Sequence, residues 1–171
     1  MPLTFLLGGA RSGKSALAAR LAAEWEGSVL VLVTAEARGD RELAARIARH
    51  RRERPAAWET VEEPLDLVGE LRRAPAGAFV VVDCLTLWSA NALEAGWSHE
   101  QVERAAGDAA ALAAGRASPT VVVSNEVGMG IVPSTPLGRS FRDLQGRVNT
   151  VFAAQADRAC LVVAGRALEL A

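Results

Sequence analysis

The feature that most constrains this chain is GGARSGKS, residues Gly8–Ser15, which fits the pattern GxxxxGK[ST]. An apolar segment, Leu3–Leu7, precedes it, and an Ala/Leu/Arg series with strong helix propensity follows it through Leu21. Strand, glycine-rich loop and helix therefore come in the order a phosphate-binding loop requires. The glycines let backbone amides curl around phosphate oxygens, and the helix start adds free N–H groups and its dipole. Lys14 reaches the β- and γ-phosphates and Ser15 ligates Mg²⁺. The expected ligand is a nucleoside triphosphate on Gly8, Gly9, Ala10, Arg11, Ser12, Gly13, Lys14 and Ser15. The alternative is a glycine-rich turn that merely joins strand to helix.

Apolar, β-branched runs recur at Leu3–Leu7, Val29–Val33, Phe79–Val82, Thr120–Val123 and Cys160–Val163, separated by helix-forming stretches. That alternation predicts an α/β fold, a mostly parallel sheet with helices on both faces and the ligand at the carboxyl ends of the strands. Helices are expected over Gly39–Arg54, Pro64–Arg73, Leu85–Leu93 and His99–Ala114, with a further one ending near Ala154 and a short strand at Trp58–Val61. CLVVAGRALEL at the end has Gly165 and Arg166 between two apolar runs, as in a hairpin. No repeat or linker divides the chain, so residues 1–171 are expected to form one nucleotide-binding catalytic domain.

A formal net charge of −1 supplies no long-range positive field for nucleic acid. Cys84 and Cys160 lack the paired spacing of a zinc or redox site, and as buried thiols they suit a reducing cytoplasm. The first apolar run already feeds the phosphate loop, and no run reaches the roughly eighteen apolar residues of a membrane span, so neither leader nor span is expected. Trp25, Trp58, Trp88 and Trp97 are expected in the core or at an interface.

Two further stretches carry chemistry. Asp83 closes the run AFVVVD, where a P-loop enzyme places a carboxylate for Mg²⁺ opposite the loop serine; the alternative is an N-cap for the next helix. RIARHRRERP sets His50 among Arg46, Arg49, Arg51, Arg52 and Arg54. Like charge disfavours imidazolium, leaving a neutral, nucleophilic ring beside groups that hold phosphates. The alternative is a solvated basic helix with an incidental histidine. His99, in GWSHEQVERA, reads as a helix-start residue without chemical company.

GGARSGKS, RIARHRRERPAAWETVEEP, VVDCLTLW, SNEVGMGIVP and FRDLQGRVNTVFAAQADRACLVVAG together resemble the adenosylcobinamide kinase/adenosylcobinamide-phosphate guanylyltransferase family over essentially the whole chain. The resemblance implies a RecA-like P-loop fold, a homotrimer, and two reactions of cobalamin biosynthesis. A nucleoside triphosphate phosphorylates adenosylcobinamide, and GMP from GTP is then transferred to that phosphate through a guanylyl-histidine. It implies GTP and ATP as substrates, Mg²⁺ on Ser15 and Asp83, and His50 and Lys14 as catalytic residues. It adds Thr34, Arg51, Glu62 and Asp83 to the nucleotide site, with Asn125 and Glu126 on a loop beside it. A guanylyltransferase without kinase activity and a non-catalytic GTP-binding switch are the alternatives.

Overall fold

The structure is a computed structural model and describes residues 2–37, 39 and 41–170. Seven strands form one sheet: β1 (Leu3–Gly8), β2 (Val29–Val33), β3 (Glu59–Glu62), β4 (Phe79–Asp83), β5 (Thr120–Asn125), β6 (Arg158–Val163) and β7 (Arg166–Leu170). Their order is β3-β2-β4-β5-β1-β6-β7, parallel throughout except for the antiparallel β6–β7 pair. The helices are α1 (Lys14–Ala23), α2 (Arg41–Glu53), α3 (Leu67–Arg73), α4 (Leu85–Glu94), α5 (His99–Ala114) and α6 (Pro136–Gln155).

Continuous apolar strands bury both faces of the sheet. Leu3, Phe5, Leu32, Val80, Val82 and Val122 pack on one face with Leu144, Val148 and Phe152 of α6 and the alanine stripe of α5. Leu6, Val31, Val33, Val81, Val121 and Val123 face the other way, against Leu17, Ala18 and Ala22 of α1. This alternation fixes which strand-end residues share a face with the phosphate loop. Trp88 is fully buried, donates Nε1–H to the Leu65 carbonyl at 2.9 Å and meets Trp97 edge to face, whereas Trp25 lies near the surface against Phe79.

Elements shift by a residue or two from the sequence expectation, β3 to Glu59–Glu62 among them, and two of these differences have identifiable reasons. The helix expected from Pro64 begins at Leu67, because the Glu63 carboxylate accepts from the Leu65 and Asp66 N–H groups and Asp66 caps the Gly69 N–H. In the C-terminal hairpin the turn is Ala164–Gly165, with φ of 50° and 76°, so Arg166 belongs to β7. Two successive left-handed residues suit the twist of a two-residue hairpin.

Candidate active site

β1 delivers the chain at Gly8, and α1 starts at Lys14 behind Gly13, whose φ of 103° lies in the left-handed region. Between them Gly9, Ala10 and Arg11 are exposed and Ser12, Gly13 and Ser15 half-buried. Lys14, only 6% exposed, folds back over the loop: Nζ donates to the carbonyls of Gly8 at 2.7 Å and Gly9 at 2.6 Å, and to Ser12 Oγ at 3.3 Å. Its ammonium thus sits in the concavity where phosphate oxygens are expected.

The loop is braced from behind by the C-terminal hairpin. The Gly165 N–H donates to the Ser12 carbonyl at 2.8 Å, and a Cβ on Gly8 would run into the Val162 carbonyl oxygen.

Across the carboxyl ends of the strands, register lines up the remaining sequence-derived residues. Glu62 pairs with Val33, Val33 with Asp83 and Asp83 with Val123. Val33 and Val123 lie on the α1 face, so Glu62 and Asp83 emerge on the side that carries the phosphate loop. Asp83 does not occupy the cap position of α4; that residue is Cys84. Thr34, 1% exposed, has its hydroxyl committed to Cys84, donating to its carbonyl at 2.6 Å and accepting from its N–H at 3.0 Å. It thereby holds the backbone just after Asp83.

α2 closes this side of the site. Ala44, Ile47, Ala48 and Arg51 face Ala35, Glu62 and Pro64 across a groove of about 460 Å³. Arg51 Nη1 lies 3.6 Å from Glu62 Oε1. Glu63, adjacent in the chain, is spent on the backbone before α3, whereas Glu62 lies on the groove, as does Glu36. His50 and Arg46 lie on α2, but their side chains fall outside the described residues.

The sequence reading assigned no individual role to Arg54 or Asn91. Burial pulls the Arg54 guanidinium below its ordinary pKa, the Asp83 and Glu62 carboxylates pull it back up, and Arg51 opposes them. A half-buried cation therefore lies within electrostatic range of both carboxylates that the register brings to one face. The buried Asn91 Nδ2 donates to the Thr34 carbonyl at 2.7 Å and the Pro64 carbonyl at 3.1 Å, tying the ends of β2 and β3 to α4. Arg54 was visible only as one of a run of arginines, and Asn91 carried no local signal. His99 does have company: Nε2 lies 3.1 Å from Ser140 Oγ, and Arg147 donates to Nδ1 at 3.1 Å while bonding Glu103. That cluster joins α5 to α6.

Among the described residues no group of three or more His, Cys, Asp or Glu side chains could hold a metal by itself, and no helix is long and apolar enough to cross a membrane. The donors that the loop and Asp83 offer are a hydroxyl and a carboxylate, hard oxygens suited to Mg²⁺ with nucleotide phosphates and water completing its shell.

The family model for cobinamide kinase/cobinamide phosphate guanyltransferase matches residues 4–170. The chain is 44% identical over 172 residues to a bifunctional adenosylcobalamin biosynthesis protein of Pseudomonas aeruginosa, covering 96% of this chain and 95% of that one. It is 41% identical over 177 residues to the corresponding bifunctional protein of Salmonella typhimurium, covering 95% and 96%. Among solved structures, a KaiC-like protein of Pyrococcus horikoshii superposes with a TM-score of 0.54 at 16% identity over 93% of this chain and 69% of that one, a likeness of fold. With a family match over nearly its full length and relatives of matching length, the chain belongs to the cobinamide kinase/cobinamide phosphate guanyltransferase family.

Proposed function

We propose that this chain, working as one catalytic domain, phosphorylates adenosylcobinamide with a nucleoside triphosphate and then transfers GMP from GTP to the new phosphate. The observation that carries the reading is that Glu62 and Asp83 share the α1 face of the sheet with the Lys14 loop, while Arg51 of the helix bearing His50 pairs with Glu62. The phosphate loop and the groove under α2 thus lie on the same face of the sheet.

In the guanylyl step a ring nitrogen of His50 attacks the α-phosphorus of GTP, and pyrophosphate leaves with the electron pair of the broken P–O bond. A phosphate oxygen of adenosylcobinamide phosphate then attacks the same phosphorus and displaces the imidazole. Arg51 and Arg54 offset the charge that grows on the phosphates, Lys14 holds the β- and γ-phosphates, and Glu62 orients Arg51 at the mouth of the groove. Ser15 and Asp83 would hold Mg²⁺, which neutralises phosphate charge when bound. GTP and ATP are both candidate donors for the kinase step.

The exposed apolar side chains of Met129, Ile131, Val132 and Leu137 support a contact between copies of the chain, and the homotrimer that the family resemblance implies is testable by light scattering. Cys84 and Cys160, both buried and neither in a disulfide, suit a reducing cytoplasm.

The decisive experiment incubates the protein with Mg²⁺ and GTP labelled at the α-phosphate, then denatures it. Label that survives alkali, is released by acid and is lost in His50→Ala supports the guanylyl-histidine. Conversion of adenosylcobinamide phosphate but not of adenosylcobinamide would leave a guanylyltransferase alone. GTP-dependent association with no turnover of either corrinoid would overturn the enzymatic reading in favour of a switch.

A further inference from the structure

The two most distinctive stretches of the sequence, SNEVGMGIVP and FRDLQGRVN, meet at the end of β5. Ser124 of β5 turns its hydroxyl toward α6, donating to Asn149 Oδ1 at 2.6 Å and accepting from Gln145 Nε2 at 3.0 Å. Gln145 Nε2 also donates to Asn149 Oδ1 at 2.9 Å. All three side chains are buried. Both backbone groups of the next residue, Asn125, are held: its N–H donates to Thr86 Oγ1 of α4 at 2.8 Å, and its carbonyl accepts from Asn149 Nδ2 at 3.2 Å.

Strand alternation then decides where the Asn125 side chain goes. Val121 and Val123 pack on the α1 face, Val122 on the opposite face, and Ser124 reaches α6. Asn125 therefore returns to the α1 face, that of the phosphate loop and Asp83. β5 runs between β4 and β1, with Asn125 opposite Gly8 and Val123 opposite Asp83. The Asn125 carboxamide thus stands one pleat beyond Asp83, between it and the loop. One residue on, the Glu126 N–H donates to the Gly8 carbonyl at 3.0 Å, the same oxygen that takes the Lys14 ammonium. The Glu126 carboxylate is turned onto its own loop, accepting from the Gly128 and Met129 N–H groups, and is committed there.

We propose that Asn125 is a catalytic residue of the kinase step, its carboxamide N–H₂ donating to the phosphoryl group in transfer, and that Asn149, with Gln145 and Ser124, is a positioning residue acting through it. The proposal rests on the kinase reading above. In that step the substrate hydroxyl oxygen bonds to the γ-phosphorus, and the bond from that phosphorus to the β,γ-bridging oxygen breaks. The electron pair leaves on the nucleoside diphosphate and the hydroxyl proton passes to water. Asn125 keeps its protons throughout and offers a neutral donor to the equatorial oxygens, where charge builds. A carboxylate there would repel the same oxygens.

The test compares wild type, Asn125→Ala, Asn125→Asp, Asn149→Ala and the double alanine variant. For each, the readouts are kcat and KM for phosphorylation of adenosylcobinamide, the Kd of a non-hydrolysable triphosphate and the thermal midpoint. Loss of one preorganised donor should lower kcat about 10²-fold for Asn125→Ala, with Kd and midpoint near wild type, and further for Asn125→Asp. Asn149→Ala should lower kcat less, and the double variant should be no worse than Asn125→Ala, the non-additivity expected of a residue acting through another. Unchanged kcat in Asn125→Ala, or a loss matched by weaker nucleotide binding or a lower midpoint, overturns the assignment. Additive losses overturn the positioning role of Asn149. A wild-type protein that phosphorylates no adenosylcobinamide removes the kinase reading itself, an outcome visible before any variant is compared.

Discussion

The Cα of Gly165, in the turn of the C-terminal hairpin, lies 2.9 Å from where a Cβ on Gly13 would fall. Two glycines more than a hundred and fifty positions apart, by the numbering of the chain, thus meet at the back of the phosphate loop. Gly13 is doubly constrained, by this approach and by its left-handed φ of 103°.

Gly13→Ala should therefore be severe. A Cβ there meets backbone, which cannot rotate away as a side chain could, and the φ penalty adds about 1–2 kcal/mol. Gly165→Ala adds a Cβ with open space around it, so only the penalty of its own positive φ remains, about 1–2 kcal/mol. Fluorescent-nucleotide titration beside thermal unfolding should show nucleotide affinity lost in the first variant and nearly kept in the second. Equal loss in both would mean that the close approach does not govern the loop.

Lys14→Ala should abolish both reactions while the fold survives. Its Nζ is a buried cation folded over the loop, and removing one preorganised charge from a transition state costs about 3–4 kcal/mol, or 10²–10³ in kcat. The chain keeps its helix, because alanine has the higher propensity. Circular dichroism should be unchanged when activity is gone; a protein that no longer folds would mark Lys14 as structural.

The phosphate loop, the seven strands and the α5 boundaries were legible because they rest on local signals: a motif with its flanks, apolar runs, a hairpin turn and a Ser98–Gln101 capping box. What stayed hidden depends on register and distance. Glu62 and Glu63 are equivalent as letters, and only the pairing of Val33 with Glu62 and the α3 cap separate them. Arg54 is one arginine among five until Asp83 arrives from another strand. His99 finds its partners on α6, 41 and 48 positions away, which no local pattern announces.

Asp66 makes a pH prediction. The Arg73 side-chain hydrogen bond first, and then the Gly69 N–H, hold its carboxyl below the usual range. A folded pKa below the unfolded one gives stability that is fully present above the unfolded value, near 3.9, and lost as pH falls through the folded one. Because the carboxylate is exposed and screened, the effect is small. Asp66→Asn should lower the unfolding midpoint slightly at neutral pH and leave its acid end almost unchanged, so that the acid limb flattens; an unaltered acid limb would remove Asp66 from the account.

Arg51 and Glu62 separate stability from function. Their side chains are 71% and 52% exposed and 3.6 Å apart, a pair worth at most about 1 kcal/mol and often nothing measurable. A structural role would show in the thermal midpoint, so Glu62→Gln and Arg51→Met should leave it almost unmoved. On the groove between α2 and β3 the same residues face the proposed GTP site, and there both variants should weaken GTP binding, by about 10-fold for loss of one charge-assisted contact. Arg54→Met should act differently. Its guanidinium is half-buried and within electrostatic range of Asp83 and Glu62, so removing it takes a compensating charge from both carboxylates and should weaken nucleotide binding and lower the midpoint together. Calorimetric GTP titration and thermal scans of the three variants check this division, and a midpoint that falls equally in all three would place the pair in the fold rather than in the site.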